Sequence, residues 1–401
     1  MRAALRAVTR AATRAARPFV EPVTGLGWAV AVATLVLGGV GWRLGWVELT
    51  VIAAGLAAAL LSAGLLTIGR SIYSVELELS DSRVTVGQRA VGRLAVQNTS
   101  RRRLLPAQIE LPVGRGAANF SLPSLGPDAT HEEVFAIPTT RRAVVAVGPV
   151  RSVRGDPLGL LCRRVRWSDA VDLYVHPELV SLAGAASGVI RDLEGQATRA
   201  LSDSDMSFHA LRDYVAGDDR RHIHWKTSAR IGTLMVRQFE DTRRTHTAIA
   251  LSTSTDDYAS ADEFELAVAA VASIGVQALR DERDLTVLAG AGALRVSAPP
   301  RFLDDCSGLE AGPAGRAYAS LPQWVSRQAA DASVAILVTG SVPTSDQLRA
   351  SAVHVPVGVR TLVLACRAGA PIEVASRGRL TLAQIGQLMD LPRVLRRAVA
   401  G

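Results

Sequence analysis

Residues 211–240, LRDYVAGDDRRHIHWKTSARIGTLMVRQFE, decide how the rest of the chain is read. They gather Arg212, Asp218, Asp219, Arg220, Arg221, His222, His224, Lys226 and Arg230 around one aromatic side chain, Trp225, and then run into the apolar alternation of Leu234 and Val236. A solvated charged loop gains little from a tryptophan among its charges, so the stretch predicts a structured polar network. FHALRDYV before it has the makings of a strand, and Asp218 those of a helix N-cap whose carboxylate accepts first-turn amides. A short helix is then expected from Asp219 to Ala229, stopped by Gly232, with TLMVRQFE returning as a strand. This strand-helix-strand unit occupies residues 205–240.

Upstream, the pattern begins with a basic segment, residues 1–22, whose arginines recur every three or four positions. Residues 23–69 hold two uncharged runs, Val23 to Trp42 and Leu49 to Gly69, joined by a short RLGWVE loop. Runs of about 20 residues match a hydrocarbon slab of roughly 30 Å at about 1.5 Å rise per residue. Two such runs so close together predict a transmembrane hairpin. A cleaved signal peptide is the competing reading, but no A-x-A-like site follows the first run. Arg2, Arg6, Arg10, Arg14 and Arg17 before the pair, and Arg70 after it, place both ends on the cytoplasmic side of the plasma membrane.

Residues 71–175 change to period two, in VELELS, VTVGQRAVGRLAVQN and EEVFAIPTTRRAVVAVGPVRSV, with turn residues between the runs. That is the pattern of an all-β, sandwich-like domain. Its RGDPLGLL segment reads as a tight pre-proline turn rather than an adhesion motif. A Gly/Ala/Ser-rich connector, residues 181–204, follows. Residues 245–401 alternate strand and helix, from HTAIALS through the amphipathic DEFELAVAAVASIGVQALRDE to a final helix expected over LAQIGQLMDLPRVLRRAVA. Such alternation predicts a mostly parallel sheet covered by helices.

Hydrophobic residues make up 48% of the 401, which agrees with membrane segments. The formal net charge is +8, of which five units come from the leading arginines, leaving +3 for the remainder. That is too little for a nucleic-acid surface. Lys226 is the single lysine. Cys162, Cys306 and Cys366 are widely spaced, without CxxC or neighbouring histidines, and fit reduced structural thiols.

The central stretch satisfies R-x-Y-x-x-G-D-x-x-R-x-I-x-W-x-x-S-A-R through Arg212, Tyr214, Gly217, Asp218, Arg221, Ile223, Trp225, Ser228, Ala229 and Arg230, and GPVRSVRGDPLGL precedes it. In both segments the chain resembles the bacterial family called domain of unknown function 58. The resemblance implies a membrane hairpin, a β-rich domain and a fold similar to von Willebrand factor type A. It also implies association with a MoxR-type AAA+ ATPase.

A von Willebrand A fold carries D-x-S-x-S for magnesium at the end of its first strand, where hydroxyls and a carboxylate suit a hard cation. Here the aligned text is Ser252-Thr253-Ser254-Thr255-Asp256. A neutral oxygen in the anchoring position weakens divalent binding, so no resident cofactor is expected, with Ser252, Ser254 and Asp256 as the candidate ligands should one bind. The central motif admits three roles. Asp218 caps the helix and pairs with Arg221 or Arg230 while Trp225 packs under the guanidinium planes; or the arginines read a carboxylate or phosphate; or His222 or His224 acts as a base beside Asp218 or Asp219. No nucleophile-elbow, Walker or zinc-protease signature accompanies the third role. The expectation is a membrane-anchored cytoplasmic scaffold or adaptor for protein partners, the alternative a membrane-tethered hydrolase using the motif.

Overall fold

The computed structural model describes residues 23–67, 73–104, 106–182, 201–202, 207–215, 218–240 and 246–400. The basic segment 1–22, Arg70, Gly217 and most of the 181–204 connector lie outside the described residues. The chain divides into two compact units, at Met1–Val175 and His176–Gly401.

The first unit opens with helices α1 (Gly25–Leu44) and α2 (Val47–Thr67), both long and apolar enough to cross a membrane. Thr24 caps α1 by accepting the Gly27 amide, and Gly45 ends it in the left-handed region. The two helices bury small residues against each other: a Cβ added at Gly41 would lie 2.9 Å from Thr50 Cγ2. Their large side chains, Leu35, Trp42 and Leu65 among them, point outward. Apolar side chains on every outer face with small residues at the contact are what lipid selects, since water between helices is not the driving force there.

The β-rich part builds two antiparallel sheets. The first joins β1 (Tyr73–Leu79), β3 (Ala90–Asn98) and β6 (Thr130–Ile137). The second has the order β2-β10-β7-β4-β8-β9, with β5 added on β4; its strands are β2 (Arg83–Thr85), β4 (Ala107–Val113), β5 (Gly116–Leu122), β7 (Ala143–Val147), β8 (Arg151–Gly155), β9 (Cys162–Arg166) and β10 (Val171–His176). Strict alternation along β3 turns Leu94 and Val96 inward, where they meet Ile109, Leu111, Val147 and Leu173 of the other sheet. Each fully buried aliphatic side chain of this kind contributes about 1.5–3 kcal/mol. The expected β-rich domain is therefore present, its two sheets sharing one core. Its RGD aspartate is spent internally: Asp156 is buried and accepts the Leu158 and Leu161 amides, closing the turn.

The second unit contains a three-stranded sheet, β11 (Leu201–Ser202), β13 (Met235–Glu240) and β12 (Ser207–Asp213), followed by a seven-stranded sheet. The latter has the order β16-β15-β14-β17-β18-β20-β19. Its parallel core is β15 (Asp284–Ala289), β14 (His246–Leu251), β17 (Val334–Thr339), β18 (Arg360–Cys366) and β20 (Leu380–Ile385). Short β16 (Gly292–Ala293) and β19 (Glu373–Arg377) close the edges antiparallel. One face of the sheet packs on α4 (Ala261–Arg280), α5 (Pro299–Ser307) and α8 (Leu391–Ala400), the other on α6 (Leu321–Gln328) and α7 (Ser345–Ala352). The near-continuous burial of β14 and β17 is the mark of strands covered on both sides.

Two expectations are corrected. The single helix expected over LAQIGQLMDLPRVLRRAVA is instead strand β20, a 3-10 turn at Leu388–Asp390, and α8. Leu380 to Ile385 alternates half-buried with buried residues in step with a strand, and Gly386 lets the backbone pass Ala370 so closely that a Cβ there would lie 2.0 Å from the Ala370 carbonyl oxygen. The helix expected from Asp219 to Ala229 is also two pieces, a 3-10 turn at Arg220–His222 and α3 (Trp225–Ile231).

Candidate functional site

β12 and β13 pair antiparallel, with Arg212 opposite Val236 and Asp213 opposite Met235. Beyond the pair, Arg212 reaches forward and binds Asp218 through both guanidinium nitrogens, at 2.7 and 2.6 Å. Asp218 also accepts the Val215 amide at 2.8 Å. The Arg212 hydrogen bonds, with help from the Val215 amide, pull the Asp218 carboxyl from its ordinary 3.8 down to about 2. Asp218 is thus the clasp of the turn and not the helix cap, and its partner is Arg212 rather than Arg221 or Arg230. Capping falls to its neighbours: Asp219 accepts the Arg221 amide, and His224 Nδ1 accepts that of Thr227.

Ser228, buried, ties α3 back to the strand by accepting the Met235 amide at 2.8 Å, while His224 donates its amide to the Met235 carbonyl. Ile223 bridges to Val236, and both are buried. Gly232 ends α3 at φ +84°, a conformation open to glycine at little cost. What remains outward is Trp225, 65% exposed, with Arg220, Arg221, Lys226 and Arg230 exposed around it. Trp225 does not pack under the guanidinium planes as the sequence led us to expect. Tyr214 is half-buried, its amide bonded to the Leu234 carbonyl.

The other candidate lies where the parallel sheet changes direction, between the C-terminal ends of β14 and β17, the usual place for a ligand crevice. Ser252 and Ser254 are buried there, whereas Asp256 is exposed. The Ser252 hydroxyl donates to Asp257, and Asp257 in turn accepts the Tyr318 amide at 2.6 Å. Residues 312–318 lie directly on the strand end: the Thr253 amide donates to Arg316 O at 2.9 Å, and the Gly312 amide to Thr253 O at 3.0 Å. Packing there is tight, since a Cβ on Gly315 would fall 1.9 Å from the Thr253 carbonyl oxygen. Across the mouth, buried Glu263 accepts the Ser341 amide and hydroxyl and the Ala259 amide. The guanidinium of Arg316 lies 4.0 Å above the Trp324 ring.

This donor set does not fit magnesium. The buried carboxylates are spent on hydrogen bonds, the one exposed carboxylate belongs to Asp256, and no group of three His, Cys, Asp or Glu side chains converges for a metal among the described residues. Asp257, Glu263, Tyr318 and Ser341, which hold this strand end together, were not among the candidate ligands. The motif template pointed one residue early, and Tyr318 and Ser341 lie far along the chain. Burial raises the Tyr258 and Tyr318 phenols and the Cys366 thiol, so none of the three is an ionised nucleophile near neutrality.

Solved structures similar to parts of the chain include the CARDB domain of a Pyrococcus furiosus protein, 15% identical over 26% of this chain and 87% of that one, with a TM-score of 0.20. The C-terminal domain of Wzt is 10% identical over 28% of this chain and 78% of that one, TM-score 0.22. The alkylpurine DNA glycosylase AlkC of Pseudomonas fluorescens is 15% identical over 38% and 44%, TM-score 0.22. Likeness at this level carries no weight for fold or function. No curated protein matches the chain by sequence. Residues 210–303, which include the Arg212–Asp218 clasp, Trp225 and the Ser252 turn, match the model of the family described as protein of unknown function DUF58.

Proposed function

We propose that the protein is a membrane-anchored cytoplasmic scaffold or adaptor. α1 and α2 span the plasma membrane as a hairpin with both chain ends inside, and the two sheet units are presented to protein partners, a MoxR-type AAA+ ATPase among them. In this reading residues 245–401 of the second unit form a von Willebrand factor A-like domain that has dispensed with its metal. Supporting that fold are the strand order, with a short antiparallel strand beside β15, and the Ser-x-Ser text at the end of β14.

The observation that carries the scaffold over the hydrolase is where the motif's chemistry goes. Asp218 is neutralised by Arg212, Asp219 and His224 Nδ1 accept backbone amides, and Ser228 joins helix to strand. Groups employed this way build a hairpin; a general base needs a free lone pair facing a substrate.

Purification of the tagged full chain from native membranes, with mass spectrometry of what accompanies it, tests the proposal. An AAA+ ATPase retained at stoichiometric level is expected. Its absence, or a hydrolytic activity that is lost on His224→Ala while the fold persists, contradicts it.

A further inference from the structure

We propose that the outward face of the 220–234 segment is a second, peripheral contact with an anionic bilayer surface. The inference rests on the membrane anchoring proposed above and adds to it a lipid-facing role for the motif. Three observations point there. First, Trp225 is 65% exposed, so the largest side chain of α3 stands outward while small Ser228 takes the buried position. An indole, apolar with one N–H donor, suits a boundary between water and an apolar phase. Second, cations flank the tryptophan on both sides, Arg220 and Arg221 before it, Lys226 and Arg230 after it, all exposed. At about 100° per residue along α3, Trp225 and Ala229 form one stripe and Lys226 and Arg230 the stripe beside it. Of the nearby acids, Asp218 is clasped by Arg212, and Asp219 keeps its charge while accepting the Arg221 amide, which leaves the four cations in excess.

Third, the chain brings its own bilayer. Once α1 and α2 are inserted, the membrane surface is at tethered concentration, so a contact too weak to recruit a soluble protein is still engaged. An exposed tryptophan flanked along the chain by arginine and lysine is the composition that settles at the headgroup boundary of an anionic leaflet. Each cation near such a surface contributes roughly a fivefold gain in occupancy, lost as salt screens it.

Lys226 makes the test clean, being the single lysine of the chain. The full chain is reconstituted into phosphatidylcholine vesicles with and without phosphatidylserine, treated with an amine-acetylating reagent, and the modification at residue 226 read by mass spectrometry. Acetylation several-fold slower in the phosphatidylserine vesicles is expected, with the protection abolished by high salt and by Trp225→Ala or Arg230→Glu. The salt arm needs no variant, so a substitution that misfolds does not blunt the test. Equal labelling in both lipids overturns the inference, as does protection that appears only after a native protein extract is added, which would make the face a protein dock. Resistance to carbonate extraction from the neutral vesicles is scored in parallel. A chain that resists extraction yet shows no lipid-dependent protection sinks this inference alone, whereas a chain that is extracted sinks the anchoring and the inference together.

Discussion

Arg212 and Asp218 hold one another through two parallel hydrogen bonds six residues apart, so the charge that gives the motif its look of an active site is closed on itself. Strand β12 supplies the cation, the turn supplies the anion, and the loop between them is fixed by the Val215 amide on the same carboxylate.

Because the Asp218 carboxyl is depressed to about 2, its contribution is present above its ordinary value of 3.8 and is lost as pH falls through about 2. Amide exchange of Val215 and Tyr214 should quicken over that window in the wild type. In Asp218→Asn it should be fast already at neutral pH and show no such step. A step of equal size in the variant would assign the effect elsewhere.

Ser228→Ala removes the buried acceptor of the Met235 amide and should cost about 1–2 kcal/mol, seen as a lower melting temperature of the detergent-solubilised chain. Thr227→Ala on the half-buried neighbour should cost distinctly less.

At the sheet switch point, Asp257→Ala leaves the Tyr318 amide without its acceptor and the Ser252 hydroxyl with the Arg316 carbonyl alone, for a loss of roughly 1–3 kcal/mol. Asp256→Ala, one residue away and exposed, should be nearly silent. Magnesium or a chelator should leave the melting temperature of the wild type unchanged, because no carboxylate pair faces a cation there. A rise in melting temperature with magnesium that Asp256→Ala abolishes would restore the metal site.

Gly315→Ala drives a methyl group onto the Thr253 carbonyl, and overpacking against backbone should cost about 1–3 kcal/mol. Gly312→Ala, with open space around its Cβ position, is the control expected to do little in melting experiments.

Much of the architecture was legible because it is written in periods. Two uniformly apolar runs gave α1 and α2, and the period-two runs gave a β-rich domain whose β3 alternates strictly in burial. Long apolar strands between amphipathic helices gave the parallel sheet. Elements where two periods coincide were not legible: Leu380 to Ile385 is as apolar as a helix start, and it is pairing with β18 and β19 that makes it a strand. The motif was found but its wiring was not. Asp218 has the residue type and position of a cap, yet an arginine six residues back outbids the helix amides for it, and nothing local in the sequence announces that. Trp225 was expected under the guanidinium planes; α3 is short, its inner position is taken by Ser228, and Trp225 is left outward. Asp257 was missed because its partner Tyr318 is 61 residues away.

The most direct test of a membrane-anchored cytoplasmic scaffold is protease accessibility of the native chain in right-side-out and inverted membrane vesicles. Digestion of the sheet units in inverted vesicles alone, with a fragment containing α1 and α2 kept in the membrane, is the predicted result. Digestion from the outer face of right-side-out vesicles, or recovery of the intact chain in the soluble fraction, would contradict it.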